Sequence, residues 1–244
     1  MAFAVFDVET RVDKHLLNRV YYDGQALSDS EAFERYREDL RRRRDSDFFP
    51  ITLHLPISIA IGNVGDDYVL NSVESLALGD YSEEKLVREF WARAERFAGT
   101  LVSFNGRRFD IPVLELAALR HAIAAPIHFA EEGGARHRYL GVRHFDLFDY
   151  LTNFGAVALA GGMDLLLKMI GMPGKSGIDG SMVQEYFESE AKYYDEFNQK
   201  TAKRRLFIGK INELIADDVG TGLERGHFHR FTGPMGTTLR QGYI

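Results

Sequence analysis

The chain has 244 residues, of which 45% are hydrophobic and 27% are charged, as in an ordinary soluble globular protein. This length suits one sizeable α/β domain, and a net charge of -6 argues against a broad basic surface for nucleic acid but is compatible with a local basic groove. Because the chain has no cysteine, disulfides, thiolate metal sites and cysteine nucleophiles are excluded.

No targeting or membrane segment is predicted. The apolar N-terminal stretch has no basic residue before it and is interrupted early by Asp7, so we do not expect a signal peptide. The most apolar later region, 154–172, contains Asp164, Lys168 and several glycines, which interrupt it too often for a transmembrane helix. We therefore expect a cytoplasmic protein that does not bind membranes.

The first predicted element is a strand over residues 3–9 that ends in two acidic side chains. Its Phe and Val residues predict a strand that is buried on both faces. Since strand side chains alternate, Asp7 and Glu9 point to the same side. Two adjacent carboxylates in a buried setting are unfavourable unless a cation neutralises them, so this pair predicts a divalent metal site.

The following segments alternate between strand and helix patterns, which predicts a mixed sheet with helices on its faces and an antiparallel pairing of the first two strands. We treat residues 1–244 as one domain, with an irregular tail from about residue 226. The predicted elements after the first strand are a helix over 29–45, strands over 55–61 and 68–73, a helix over 82–98 capped by Ser82, a strand over 100–104, a helix around 112–121, a strand end and helix within 142–155, and helices over 163–170, 181–197 and 204–224.

Acidic residues also occur at the ends of two later elements. Asp110 follows the turn Asn105-Gly106, and Asp217 and Asp218 lie on the last predicted helix. Each of these acids could be a solvated or helix-capping residue if it were considered alone. Together with Asp7 and Glu9 they form a set of hard oxygen ligands, which favours Mg²⁺ or Mn²⁺. Two such ions can activate a water molecule and stabilise the leaving oxygen of a phosphodiester.

The order of these segments resembles that of the DEDD 3′–5′ exonucleases of the RNase H-like fold. The similarity is greatest to a bacterial branch of predicted exonucleases related to the proofreading domain of family B DNA polymerases. Residues 6–10 resemble motif I, residues 105–114 resemble motif II, and residues 144–147 and 171–180 also resemble this branch. The resemblance extends from motif I to about residue 225.

The resemblance implies an RNase H-like α/β fold with a mixed β-sheet flanked by helices. It further implies a two-metal exonuclease that shortens single-stranded DNA or RNA from the 3′ end, with DNA favoured, and releases nucleoside monophosphates, an activity suited to DNA repair. Two Mg²⁺ or Mn²⁺ ions would be held by Asp7, Glu9, Asp110 and Asp218. The expected contacts to the substrate come from Asn105, Phe109 and Lys175.

The third motif departs from the pattern of this branch. The branch has a tyrosine four residues before the last aspartate, where this chain has Leu214, and a related subfamily has a histidine at the position of Glu213. In the family the tyrosine hydroxyl helps to position the attacking water, which leucine cannot do. An alternative function is therefore a degenerate module that binds nucleic-acid ends or a protein partner. A third possibility is a phosphohydrolase that acts on small nucleotides.

Several other polar residues have two interpretations. The run 41–44 contains four arginines, which could bind phosphate, although a solvated helix end is slightly favoured. For Arg107 and Arg108 a phosphate contact and a solvated turn are equally plausible. Asp146 and Asp149 are expected to be supporting or helix-capping groups.

Overall fold

The computed structural model describes residues 3–76, 81–130, 134–139, 143–171, 183–184 and 187–188. Within these ranges, one five-stranded sheet is flanked by helices, which confirms the RNase H-like α/β class predicted from the sequence. No helix among these residues is long and apolar enough to cross a membrane. The strands are β1 (Phe3–Val12), β2 (His54–Val64), β3 (Leu70–Ser75), β4 (Thr100–Ser103) and β5 (His144–Asp146).

Six α-helices and one short 3-10 helix accompany these strands within the described ranges. The helices α2 to α6 begin near the residues that the sequence predicts. The 3-10 helix and α1 were not predicted, and α1 was missed because it has only two turns and buries only Leu17. The predicted cap of α3 is confirmed, since the Ser82 side chain accepts a hydrogen bond from the Lys85 N–H. The helices are α1 (Lys14–Tyr21), α2 (Asp29–Arg44), a 3-10 helix (Ile51–Leu53), α3 (Glu83–Arg96), α4 (Asp110–Arg120), α5 (Leu147–Leu151) and α6 (Gly162–Met169).

The strand order is β3-β2-β1-β4-β5, so β1 lies in the middle of the sheet. β1 pairs antiparallel with β2, as predicted, whereas β1 with β4 and β4 with β5 pair in parallel. The carboxyl ends of β1, β4 and β5 therefore meet at one edge of the sheet. Two helices, α4 and α5, begin just beyond this edge, at Asp110 and Leu147.

The two faces of β1 differ in burial. Ala4, Phe6 and Val8 lie in the main core, packed with residues of α3 and α4. The other face, which carries Asp7 and Glu9, is only partly buried. The prediction that β1 is buried on both faces is therefore wrong, because the apolar residues near its start also occupy the partly exposed face.

A helical connection joins β1 to β2 and has its own small core. This core contains buried residues of α1 and α2, such as Leu17 and Phe33, together with Phe49 just before β2. The rings of Phe33 and Phe49 stack with their centroids 4.8 Å apart. The connection thus packs next to the start of β2.

The C-terminal predictions fall mostly outside the described residues. Residues 183–184 and 187–188 are described and are helical, in keeping with a helix in the 181–197 range. The Gln184 side chain accepts a hydrogen bond of 2.6 Å from the Val12 N–H, and Lys14 forms an ion pair of 2.7 Å with Glu188. The predicted helix over 204–224 and the tail from about 226 lie outside the described ranges.

Candidate active site

Asp110 joins the segment resembling motif II to the segment resembling motif I. It is the first residue of α4 and its side chain is buried, with 5% of the residue exposed. Its Oδ1 accepts a hydrogen bond of 3.1 Å from the backbone N–H of Val8, which lies between Asp7 and Glu9. Residues 102 positions apart in the sequence are therefore in direct contact.

Electrostatics also link these three acids. Burial raises the pKa of Asp110 well above its usual value, and the nearby Asp7 and, to a smaller extent, Glu9 raise it further. The Val8 N–H opposes this increase because it stabilises the ionised carboxylate. The chain therefore places Asp110 beside two other carboxylates, in a setting that disfavours the ionisation of Asp110.

A divalent cation would relieve this repulsion. All three groups offer carboxylate oxygens, the ligand type that Mg²⁺ and Mn²⁺ prefer, so their chemistry fits such ions. Among the described residues, however, no group of three or more acidic or histidine side chains has the spacing of a ready-made metal site. Asp218, the fourth predicted ligand, lies outside the described residues, as do Lys175 and Leu214.

Gly106 allows the loop before α4 to pack closely against the site. A Cβ atom at this position would lie 2.4 Å from Ser103 Oγ and 3.2 Å from Asp110 Oδ2. The Gly106 carbonyl also accepts a hydrogen bond of 2.8 Å from the Ile111 N–H, at the start of α4. A side chain at residue 106 would therefore push against both β4 and the Asp110 carboxylate.

Asp146 holds the same loop from the other side. Its Oδ1 accepts a hydrogen bond of 2.8 Å from the Asn105 N–H, and its Oδ2 accepts one of 2.8 Å from the Arg107 N–H. Oδ1 also accepts from the Phe148 N–H at 2.9 Å and so caps α5. Asp146 is thus a capping and supporting residue, as predicted.

The two described candidates for substrate contact lie at either end of this loop. Asn105 has a left-handed backbone with φ of 63°, and its buried Oδ1 has no hydrogen-bond partner among the described residues. Phe109, next to Asp110, packs edge-on against His54 and Phe48, with centroid distances of 5.0 and 5.4 Å. The sequence analysis did not single out Phe48 or His54, because nothing in their local sequence indicates proximity to Asp110.

Neither interpretation of Arg107 is correct. Its guanidinium donates to backbone carbonyls, including those of His137 at 3.2 Å and His144 at 2.9 Å. Only 12% of the side chain is exposed, and burial lowers the pKa of Arg107. Arg107 therefore crosslinks the fold, whereas the neighbouring Arg108 is exposed and lies 5.5 Å from the centre of the Phe148 ring.

Other charged residues support the fold around the site. Asp149 is buried and accepts two hydrogen bonds from Arg138, of 2.7 and 2.8 Å, which confirms its supporting role. The arginines of the 41–44 run form the exposed last turn of α2, as predicted. Arg41, Arg42 and Arg43 form ion pairs with Asp47 or Asp39.

Comparisons with solved structures gave low similarity. The chain is 15% identical to the family B DNA polymerase from the hyperthermophilic archaeon Pyrobaculum calidifontis, with a TM-score of 0.49, covering 90% of this chain and 24% of that chain. It is 11% identical to a chain of an ExoI/SSB-Ct complex, with a TM-score of 0.36, covering 97% of this chain and 43% of that chain. The chain thus spans less than half the length of either protein. A search of the curated proteins gave no match.

The comparison with protein families was decisive. Residues 46–200 match the model of a predicted 3′–5′ exonuclease related to the exonuclease domain of PolB. The matched range contains Asn105, Phe109 and Asp110, whereas Asp7 and Glu9 precede it. As the match covers more than half of the chain, the protein belongs to this family of predicted 3′–5′ exonucleases related to the exonuclease domain of PolB.

Proposed function

We propose that this protein is a metal-dependent 3′–5′ exonuclease that hydrolyses single-stranded nucleic acid, with DNA favoured over RNA, to nucleoside monophosphates. The observation that carries this proposal is the contact between Asp110 and the Val8 N–H, beside Asp7 and Glu9. This contact supports a shared role for the two acidic motifs, because a buried carboxylate surrounded by like charges is unfavourable without a cation.

In this proposal Asp7, Glu9, Asp110 and Asp218 hold two Mg²⁺ or Mn²⁺ ions. Exonuclease domains of this kind generally use divalent metals, which when bound neutralise phosphate charge and activate water. The buried, unpartnered Oδ1 of Asn105 supports a role as a hydrogen-bond acceptor for the terminal nucleotide.

Further residues of this chain position the carboxylates and the substrate. The Val8 N–H fixes one oxygen of Asp110, and Asp146 fixes the loop that carries Asn105. Phe109 packs against the terminal nucleotide, while Lys175 contributes a contact to the phosphate backbone. Single-stranded ends suit such a site because a duplex end would first have to fray.

A second candidate function is binding to nucleic-acid ends without cleavage. The observation that favours it is Leu214, at the position where the related branch has a tyrosine that positions water. Loss of a group that orients or deprotonates water reduces rates by about 10²–10⁴-fold. An experiment therefore has to distinguish slow cleavage from binding without cleavage.

The decisive experiment is a nuclease assay with end-labelled single-stranded DNA and RNA in Mn²⁺, at high protein concentration. We expect slow shortening from the 3′ end that is abolished by EDTA and by Asp7→Ala. The exposed Asp23→Ala is the matched control and should retain activity. A complete lack of shortening, or activity that is unaffected by Asp7→Ala, would contradict the proposed site.

The Leu214→Tyr variant then tests the third motif. If the missing hydroxyl limits the reaction, the rate at which this variant shortens the oligonucleotides should be at least about 10²-fold higher than that of the parent chain. An unchanged rate in a variant that still binds the oligonucleotide would show that Leu214 is not the limiting defect. Hydrolysis of mononucleotides without shortening of oligonucleotides would instead favour a small-molecule phosphohydrolase.

A further inference from the structure

An exposed aromatic ring, that of Phe48, packs against the residue that directly precedes Asp110. Phe48 is 56% exposed, although it stands between α2 and β2, beside the deeply buried Phe49. Its ring stacks on His54 with a centroid distance of 5.4 Å and an interplanar angle of 25°. It also contacts the edge of Phe109 at 5.4 Å. Phe48, His54 and Phe109 are called the aromatic patch below.

The inner rings of the aromatic patch are held in place. His54 is 9% exposed, and its Nε2 lies 3.3 Å from the Phe49 carbonyl, which can only accept a hydrogen bond. Nδ1 therefore accepts from the Thr10 hydroxyl, 2.8 Å away. Burial lowers the pKa of His54, which favours the neutral ring.

The position of the aromatic patch connects it to the acids on both sides. Phe109 directly precedes Asp110, and Thr10 directly follows Glu9. The pairing of β1 with β2 is irregular between Glu9 and Thr10, and such bulges are common beside active sites, where they redirect side chains. Phe48 is thus a largely exposed ring that packs on His54 and on Phe109, the residue directly before Asp110.

We propose that Phe48 stacks on a nucleobase at the 3′ end of a single-stranded nucleic acid bound at the carboxylates. This inference rests on the proposed function and names a base-binding contact for the same site. An exposed ring suits this role because every nucleobase has a flat aromatic face, so stacking does not require a particular sequence. The last turn of α2, with the arginines of the 41–44 run, precedes Phe48 in the chain, and three of these arginines are paired with Asp47 or Asp39.

Isolated exposed apolar residues are common and need no explanation. Phe129 is such a residue: it is 46% exposed and packs edge-on against His128, with a centroid distance of 4.8 Å. It lies beyond the C-terminal end of α4, whereas Asp110 is at the N-terminal end. Phe129 is therefore the matched control for Phe48.

The test is the equilibrium binding of two fluorescently labelled oligonucleotides in Ca²⁺. One has an ordinary 3′-terminal nucleotide, and the other has an abasic terminal nucleotide with the same phosphates. We expect Phe48→Ala to weaken binding of the first by about 5- to 150-fold, the range measured for loss of one base–aromatic stack, and to change binding of the second by less than about twofold. Phe48→Trp should preserve both affinities, and Phe129→Ala should change neither.

The proposal is overturned if Phe48→Ala weakens both oligonucleotides equally, weakens neither, or is matched by Phe129→Ala. It is also overturned if the parent chain binds neither oligonucleotide. Base-dependent binding through Phe48 without any shortening in Mn²⁺ would support this inference while contradicting the proposed exonuclease activity. Melting temperatures of the variants confirm that they fold, which is expected because most of the Phe48 surface is exposed.

Discussion

Asp110 and Asp146 are both buried carboxylates at the same edge of the sheet, but their surroundings are opposite. Asp146 is 4% exposed and accepts backbone hydrogen bonds from Asn105, Arg107 and Phe148. These N–H groups replace the water that the carboxylate loses on burial. Asp146 therefore stabilises the loop and helix that it joins.

Asp110 is equally buried, at 5% exposure, but it faces two other acids. The Val8 N–H compensates only in part, so the pKa of Asp110 stays well above its usual value. Burial alone therefore does not identify a functional acid. What distinguishes Asp110 is a pair of neighbouring acids that disfavours its charge, an arrangement that is common at catalytic sites.

The sharpest test of this comparison is Asp110→Asn. We expect nuclease activity to fall by about 10²–10³-fold, the size of loss typical for removal of one charge-stabilising group, and metal affinity to fall by more than about 10-fold. The metal-free variant should nevertheless be at least as stable as the parent. Nuclease rates, metal titration and urea unfolding in EDTA measure these effects.

The pH dependence of the folding stability tests the same comparison. Because the folded chain raises the pKa of Asp110, its contribution to stability is present below the unfolded-state pKa and is lost as pH rises through the folded-state pKa. The parent chain in EDTA should therefore lose stability relative to Asp110→Asn as the pH increases. If the stability of both proteins had the same pH dependence, the neighbouring acids would not disfavour the charge on Asp110.

Asp146→Ala should have the opposite balance of effects. Removal of this carboxylate leaves several backbone N–H groups without their acceptor, so we expect the free energy of unfolding to fall by about 2–4 kcal/mol. Asp67→Ala is the control, because Asp67 is an exposed turn residue that accepts from the Val69 N–H at 3.1 Å. Urea denaturation should show a loss below about 1 kcal/mol for this control. A similar loss in both variants would contradict the structural role of Asp146.

Gly106→Ala tests whether the two carboxylate regions depend on the same loop. The new Cβ would overlap Ser103 and press on Asp110, so we expect a loss of about 1–3 kcal/mol in stability and of up to about 10²-fold in activity. Gly24→Ala is the control, because nothing lies within 4 Å of a Cβ at that position. It should retain activity despite some backbone strain, as Gly24 has φ of +75°. Full activity in Gly106→Ala would show that the loop can move without disturbing Asp110.

The smallest expected effect concerns His144, two residues before Asp146. Burial lowers the pKa of His144 to about 3, while an unfolded histidine titrates near 6.5. As the pH falls, the unfolded chain therefore binds a proton that the folded chain does not bind. The free energy of unfolding should fall by about 1 kcal/mol between pH 7.5 and pH 6. Urea unfolding of the parent and of His144→Gln should differ by this amount in their pH dependence. Identical slopes would contradict a neutral, buried His144.

Local sequence patterns were sufficient to predict most elements of the described fold. The run of Phe and Val residues indicated β1, and Ser82 with the acids after it indicated the start of α3. The short helix α1 was missed, because its single buried residue, Leu17, produces no clear periodic pattern. Burial on both faces of β1 was predicted wrongly, since sequence alone does not show which face the helices cover.

For the candidate site, the acidic residues and their order could be predicted from the sequence, because strand alternation and helix starts are set by neighbouring residues. Which of these groups meet could not be predicted, because it depends on tertiary contacts. The Asp110–Val8 contact, the inward direction of Arg107 and the packing of Phe48 against Phe109 all join distant segments. The first of these contacts depends on the parallel pairing of β1 with β4, which brings two strand ends together and has no signature in either segment alone.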